Sequence, residues 1–241
     1  MAEEETLLGR QGGYRKLKSF QIAQLIYDIT VRFCNRYINI RSRTHDQMVQ
    51  AARSGVQNIA EGSQAAGTSK KFEIKLTNVA RASLEELRLD YEDYLRQRGL
   101  PIWPPNHPVL MRFKALRCSS VEQLSDWIRA ERAAWPGMPE GDTDLQGPPR
   151  NHAPTRTAPK TQEPSPAQSV AHRDSPCSPV PPPPPKPNSA TFAANATLSL
   201  LNLCCHFLDR QIAAQANAFE EEGGFTERMY RVRTAKRKKR W

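Results

Sequence analysis

The sequence predicts an all-α protein: an antiparallel up-down four-helix bundle with a helical insert and a long disordered Pro-rich linker before the last helix. Three observations carry this. Gln47 to Leu95 holds two amphipathic stretches joined by a short polar turn, which is a helical hairpin. Upstream, Ile22, Ile26, Ile29, Phe33, Tyr37 and Ile40 recur at steps of three and four, one apolar stripe over five turns. Far downstream, Leu198, Leu201, Cys205, Leu208, Ile212 and Phe219 repeat the pattern.

Taken in order, residues 1–13 read as disordered and the first helix begins at Tyr14. The second opens at Thr44, with Gln47 three residues on as a capping box. Its buried stripe is small: Met48, Ala51, Ala52, Gly55, Val56 and Ile59. Another helix can therefore approach closely. Gly62 and Gly67 bracket the turn, and Thr68 or Ser69 caps the third helix. Phe72, Leu76, Val79, Ala80, Ser83, Leu84, Leu87, Tyr91 and Leu95 form its expected buried face, and Gly99-Leu-Pro101 ends it. The first three bundle helices thus occupy 14–98. A helical insert follows over 99–135. It contains a Pro-rich break, a weak helix over Val109–Leu116, and a short helix opened by the Ser119-Ser-Val-Glu122 capping box.

Composition then changes. Sixteen of the twenty prolines fall between 136 and 190. A segment with so few large apolar side chains cannot offset its ordering entropy, so 136–188 reads as a disordered linker, with polyproline II over Val180–Pro187. A stiff spacer or a ligand for a proline-reading domain would each use it. The fourth helix spans 189–224 and stops at Gly223-Gly224. A tether of this length reaches about 40 Å, enough to dock the helix in cis or on a neighbouring subunit.

The chain carries 35 Lys+Arg against 25 Asp+Glu, a formal charge of +10. Eight of the basic residues are Arg228, Arg231, Arg233, Lys236, Arg237, Lys238, Lys239 and Arg240, in a 225–241 tail. Without them the balance is 27 against 25. A basic tail on a nearly neutral body suits an anionic partner, most often nucleic acid, or serves as a solubilising end. Phe225, Tyr230 and Trp241 lie among these cations, where aromatic rings either stack on unpaired bases or pack back on the bundle.

Catalytic signatures are missing. There is no Walker loop, Gly-x-Gly-x-x-Gly or Gly-x-Ser-x-Gly. Glu61 has no second carboxylate or His in a defined relation to it. Glu85, Glu86, Asp90, Glu92 and Asp93 read as a solvated face. Cys204-Cys205-His206 cannot close one tetrahedral metal site, because successive helical residues diverge by about 100°. Cys205 fits the core stripe. The expectation is a non-enzymatic protein with no metal, cofactor or small-molecule substrate. Five scattered cysteines and an acidic N-terminus unlike a secretory signal predict a cytoplasmic location. Asn195-Ala-Thr197 is a glycosylation sequon, discounted on the same ground. No segment reads as able to span a membrane: 193–203 is short and broken by Asn195, Thr197, Ser199 and Asn202.

Residues 14–98 resemble the four-helix bundle family first noticed in open reading frames within 23S rRNA intervening sequences. The likeness rests on Tyr14-Arg-Lys-Leu17, Gln47, Ala51-Ala52, the run Asn58-Ile59-Ala60-Glu61-Gly62, Lys71-Phe72, and Ala80-Arg-Ala-Ser-Leu-Glu-Glu-Leu87. The segment from Asn195 to Arg233, with Leu208-Asp-Arg-Gln-Ile212 and Gly223-Gly-Phe-Thr-Glu-Arg-Met229, is similar to the suffix domain of one subgroup. The chain departs from the family at Ser54-Gly55-Val56-Gln57, where members carry Ser-Ile-Pro. It also has only Arg53 as a Lys or Arg between Thr44 and Glu61, where members carry several. The resemblance implies a left-handed bundle and a homo-oligomer of five subunits. Through a branch that assists reverse transcriptases, it also implies binding to RNA or a nucleoprotein. A protein–protein scaffold displaying the Pro-rich linker is the alternative.

Overall fold

Helix boundaries in the computed structural model, which describes residues 12–135 and 187–238, follow local capping chemistry. The elements are a 3-10 turn at Tyr14–Lys16, α1 (Lys18–Tyr37), α2 (Arg43–Ala65), α3 (Lys70–Gln97), α4 (Pro108–Leu116), α5 (Val121–Ala134), α6 (Ser189–Glu222) and α7 (Phe225–Lys238). The described residues are all-helical, without strands. The expected disorder of residues 1–11 and 136–186, the polyproline II stretch, and Lys239, Arg240 and Trp241 lie outside the described residues.

Several boundaries correct the sequence reading. The first helix starts at Lys18, after Leu17 turns extended, and Ile40 falls beyond its end, 71% exposed. Ser42, not Thr44, caps α2 by accepting from the Thr44 N–H. Ser120, not Ser119, caps α5: its hydroxyl takes the Gln123 N–H while the Gln123 side chain accepts the Ser119 N–H. Asn188, assigned to the linker, forms a reciprocal capping box with Thr191 and so opens α6. Ser69 caps α3 through the Phe72 N–H, as expected. The far end of α3 closes with Leu100 N–H on the Leu95 carbonyl and Gly99 N–H on Arg96, with Gly99 at φ 65°. Leu100 and Leu95 are both buried in the core.

α1 packs on α2 and α6, and α3 packs on α2 and α6, so four helices close a ring of neighbours. α2 and α3 run in opposite directions: Ser54 meets Ser83 at 2.9 Å, and Gly62 faces Glu73 and Thr77. α3 and α6 do the same, with Arg81 pairing Asp209 and Glu73 accepting from Gln215 at 2.9 Å. Ile26, Met48, Ile59, Leu84, Leu87, Tyr91, Leu201 and Leu208 fill the centre. The Tyr91 hydroxyl is satisfied there, donating to Thr30 Oγ1 at 3.1 Å.

Two glycines set the α2–α3 spacing. A Cβ on Gly55 would stand 2.6 Å from Leu84 Cδ2 and 2.8 Å from its Cγ. Gly62, placed by the sequence in the turn, is inside α2, and its Cβ would meet the Glu73 carbonyl oxygen at 3.3 Å. Gly55→Ala gains about 1 kcal/mol of helix propensity but crowds a fully buried leucine, which costs about 1–3 kcal/mol. We expect net destabilisation of about 1 kcal/mol for Gly55→Ala and more for Gly55→Val, read from urea midpoints. A stabilised Gly55→Val would mean the two helices are not in this register.

The insert folds onto the first half of α6. Phe192, fully buried, sits among Trp103, Trp127 and Trp135, at ring-centroid distances of 5.1, 6.0 and 5.9 Å. Arg112 grips nearly buried Glu131 with two hydrogen bonds, 2.7 and 2.5 Å, locking α4 to α5. This cover explains why residues 189–198 of α6 are all buried, where the sequence suggested one narrow stripe.

The expectation that no segment is long and apolar enough to span a membrane is corrected. By length and composition the helix within 189–238 contains a window apolar enough to cross a membrane, but 72% of that window is buried inside the protein. Its polar residues are satisfied internally. Asn195 accepts the Trp103 N–H at 2.7 Å and donates to Pro101 and Thr191 carbonyls at 3.0 and 2.9 Å. At 1% exposure the sequon asparagine is closed to modification in the folded chain.

Candidate nucleic-acid interface

The expected basic tail is helical over Phe225–Lys238. α6 ends at Gly223, whose φ of 72° breaks the helix. The Glu227 carboxylate accepts the Gly224 N–H at 2.9 Å and opens α7. This turn is anchored by Glu222. Lys70, at the start of α3, pairs with its carboxylate and also donates to the Ala218 carbonyl at 3.1 Å. Arg228 approaches the same carboxylate at 3.7 Å, and Arg231 donates to the Glu222 backbone carbonyl at 3.1 Å. The Lys70 hydrogen bond and charge, joined by Arg228 and Arg231, hold the Glu222 carboxyl below the usual carboxylate range. Among the described residues of α7, Val232 is the buried one.

The eight predicted basic residues therefore separate. Arg228 and Arg231 are tied to Glu222, and only 14% of the Arg228 side chain is exposed. Arg233, Lys236, Arg237 and Lys238 are exposed. Lys239 and Arg240 lie outside the described residues. Phe225 is half-buried, whereas Tyr230 stands 73% exposed rather than packing back. Tyr230, Arg233 and Arg237 are spaced by three and four residues, so a ring and two guanidinium groups share one side of the helix. The sequence placed Tyr230 among cations but could not say which way it faced.

Asn58, Ile59, Ala60, Glu61 and Gly62 form part of the α2–α3 seam. Asn58 donates to the Ser54 carbonyl at 2.9 Å and to its hydroxyl at 3.1 Å, and Ser54 meets Ser83. Ile59 is fully buried, Ala60 half-buried and Gly62 pressed on α3, while Glu61 points outward, exposed. On helix 3, Arg88 pairs with Glu85 at 2.5 Å and Glu92 at 3.5 Å, and Arg96 pairs with Asp93 at 2.7 Å. Cys204 and Cys205 are both buried, whereas His206 is exposed. Among the described residues no cluster of three His, Cys, Asp or Glu side chains could hold a metal ion.

Phe72 and Val79, expected on the buried face of α3, are 49% and 38% exposed. They are seven residues apart and share one side of the helix. The α2 and α6 contacts take the faces around Ala80, Leu84 and Tyr91 instead. Two concave regions accompany these surfaces. One is an apolar groove of about 1090 Å³ over α6, α1 and α4, and the other a smaller cavity between α1 and α5. No protein-family model, curated protein or solved structure matches the chain.

Proposed function

We propose that this chain is a cytoplasmic, non-enzymatic, oligomeric helical-bundle protein that binds RNA or a nucleoprotein partner through α7. In this reading α1, α2, α3 and α6 are an antiparallel up-down four-helix bundle, 136–186 is a disordered linker, and the chain is a divergent relative of the 23S rRNA-intervening-sequence type with a suffix domain. The observation that carries it is the exposed side of α7, where Tyr230 stands beside Arg233 and Arg237. Guanidinium groups neutralise phosphates without reading sequence, and an exposed ring stacks on an unpaired base.

The test is single-stranded RNA binding across a salt series. Each phosphate contact contributes about 0.7 to the slope of log affinity against log salt. Arg233→Gln with Arg237→Gln is expected to reduce the slope by about 1.4, and Tyr230→Ala to weaken binding by about 1–3 kcal/mol. If the full chain does not bind RNA at low salt, this reading fails.

The second reading is a protein–protein scaffold, favoured by the uncovered Phe72 and Val79 on α3. These residues also support a homo-oligomer, a pentamer by the resemblance. Light scattering decides: a strict monomer at micromolar concentration removes the oligomer from both readings.

A further inference from the structure

The apolar groove over α6, α1 and α4, about 1090 Å³, follows α6 from Asn195 to Phe207. Twelve steps of 1.5 Å make it about 18 Å long. Buried Leu25, Leu110, Phe113 and Leu198 belong to its wall. In the same wall Ile102 and Leu203 remain 50% and 43% exposed. Uncovered apolar surface gathered in one concave place favours an apolar occupant, and such an occupant needs no hydrogen-bond partners along the groove.

The charges of the wall are uneven. Lys18, Lys114 and Arg117 are exposed cations. Lys18 Nζ donates to the Gln21 side chain at 3.3 Å and Lys114 Nζ to the Pro105 carbonyl at 2.7 Å, both neutral groups. Glu92, the one acid of the wall, pairs with Arg88 at 3.5 Å. Arg117 is also unusual in its backbone. At φ 49° and ψ 48° it is the one non-glycine residue with positive φ among the described residues. The left-handed stop of a helix commonly takes glycine or asparagine, because a Cβ is crowded there. An arginine held in that conformation keeps a cation in the groove wall against local preference, and strain of this kind clusters at ligand clamps.

We propose that this groove binds a single-chain anionic amphiphile, a long-chain carboxylate, with its hydrocarbon along α6 and its head among Lys18, Lys114 and Arg117. An apolar length with a surplus of cations matches one chain that carries one negative charge. The assignment uses none of the α7 residues and stands or falls separately from the RNA reading.

The test is calorimetric titration of the full chain with dodecanoate below its micelle concentration, with dodecanol and hexanoate as separate arms. Dodecanoate is expected to bind, and the uncharged and the short analogue about tenfold more weakly or worse. Cys118, half-buried in the same wall, reports the place: dodecanoate should slow its alkylation severalfold, read at that residue by mass spectrometry. Arg117→Gly suits the left-handed backbone, so it should keep or raise the urea midpoint while weakening dodecanoate about tenfold. Leu203→Asp, at an exposed position, should weaken it at least as much. Arg233→Gln on α7 should leave it unchanged. The proposal is overturned by no dodecanoate binding, by dodecanol or hexanoate binding as well as dodecanoate, or by binding that leaves Cys118 unprotected. It is also overturned by unchanged affinity in both groove variants, or by an equal loss in Arg233→Gln. Two other occupants would overturn it as well. Faster Cys118 alkylation in Leu7→Ser with Leu8→Ser would show this chain's own N-terminal segment in the groove, and alkylation that slows with rising protein concentration would show a second copy.

Discussion

Raising the pH from about 8 to about 11 is expected to unfold this protein. Cys34 and Cys204 are fully buried and Cys205 is 6% exposed. Burial pushes the Cys34 and Cys205 thiols up to about 12, with smaller contributions from Asp90 and Glu85 respectively, and pushes Cys204 higher still. In the unfolded chain a thiol ionises near 8.5. Above that pH the folded state holds more protons than the unfolded one. The stability tied to these protons is complete below about pH 8.5 and is lost as pH rises toward the folded values. Each thiol then removes about 1.4 kcal/mol per pH unit, and three over about two units remove roughly 8 kcal/mol. That is comparable with the whole stability of a typical domain, about 5–15 kcal/mol. Tyr91, whose hydroxyl is raised by complete burial, adds to the loss above about pH 10.

Urea midpoints between pH 7.5 and 10.5 measure this directly. Cys204→Ala with Cys205→Ala should shrink the alkaline loss by about two thirds, at a neutral-pH cost of about 1–3 kcal/mol. An alkaline slope identical in the variant would show that these thiols are not what is being titrated.

Asn195→Ala is expected to cost about 3–5 kcal/mol. Asn195 satisfies both the buried Trp103 N–H and the Pro101 carbonyl, where the insert crosses α6. A buried backbone group without a partner costs about 1–3 kcal/mol, and the lost volume beside Phe192 adds to it. Asn195→Asp keeps the acceptor for Trp103. It can no longer donate to Pro101 and Thr191, and it brings a charge into the core, so its loss should be at least as large. Denaturant midpoints give the size, and the near-ultraviolet tryptophan signal, to which Trp103, Trp127 and Trp135 around Phe192 contribute, shows whether the insert is disturbed. A loss under about 1 kcal/mol in Asn195→Ala would mean that water replaces the side chain and that the insert is not sealed.

These two sites show what the sequence can and cannot reveal. Local chemistry was legible: the span of α6 from Ser189 to Glu222, the Ser69 cap and the Gly99 stop each follow from residues within a turn or two. Cap choice between neighbouring Ser and Thr residues failed by one or two positions at Ser42 and Ser120, because each candidate can make the same bond and packing selects the register. Burial failed where it depended on a distant partner. Periodicity put Phe72 and Val79 inside α3, yet the side of α3 that is covered depends on where α2 and α6 lie. Asn195 read as a sequon because its partners are about ninety residues upstream. The Phe192 cluster joins residues from segments that no spacing rule connects. Of the basic residues, sequence counted the charges, but Glu222 divides them into those that hold α7 and those that face outward.

Arg132 bonded to Ser189 and Trp135 against Phe192 also bring together the ends of the two described stretches, 12–135 and 187–238. Closing a flexible loop between ends that already meet depends weakly on its length: doubling it would raise the closure entropy by only about 0.6 kcal/mol. α6 is mated to α1 and α3 by packing of its own, so an insertion or a cut within 136–186 is expected to change how often the two stretches meet more than how they fit once joined.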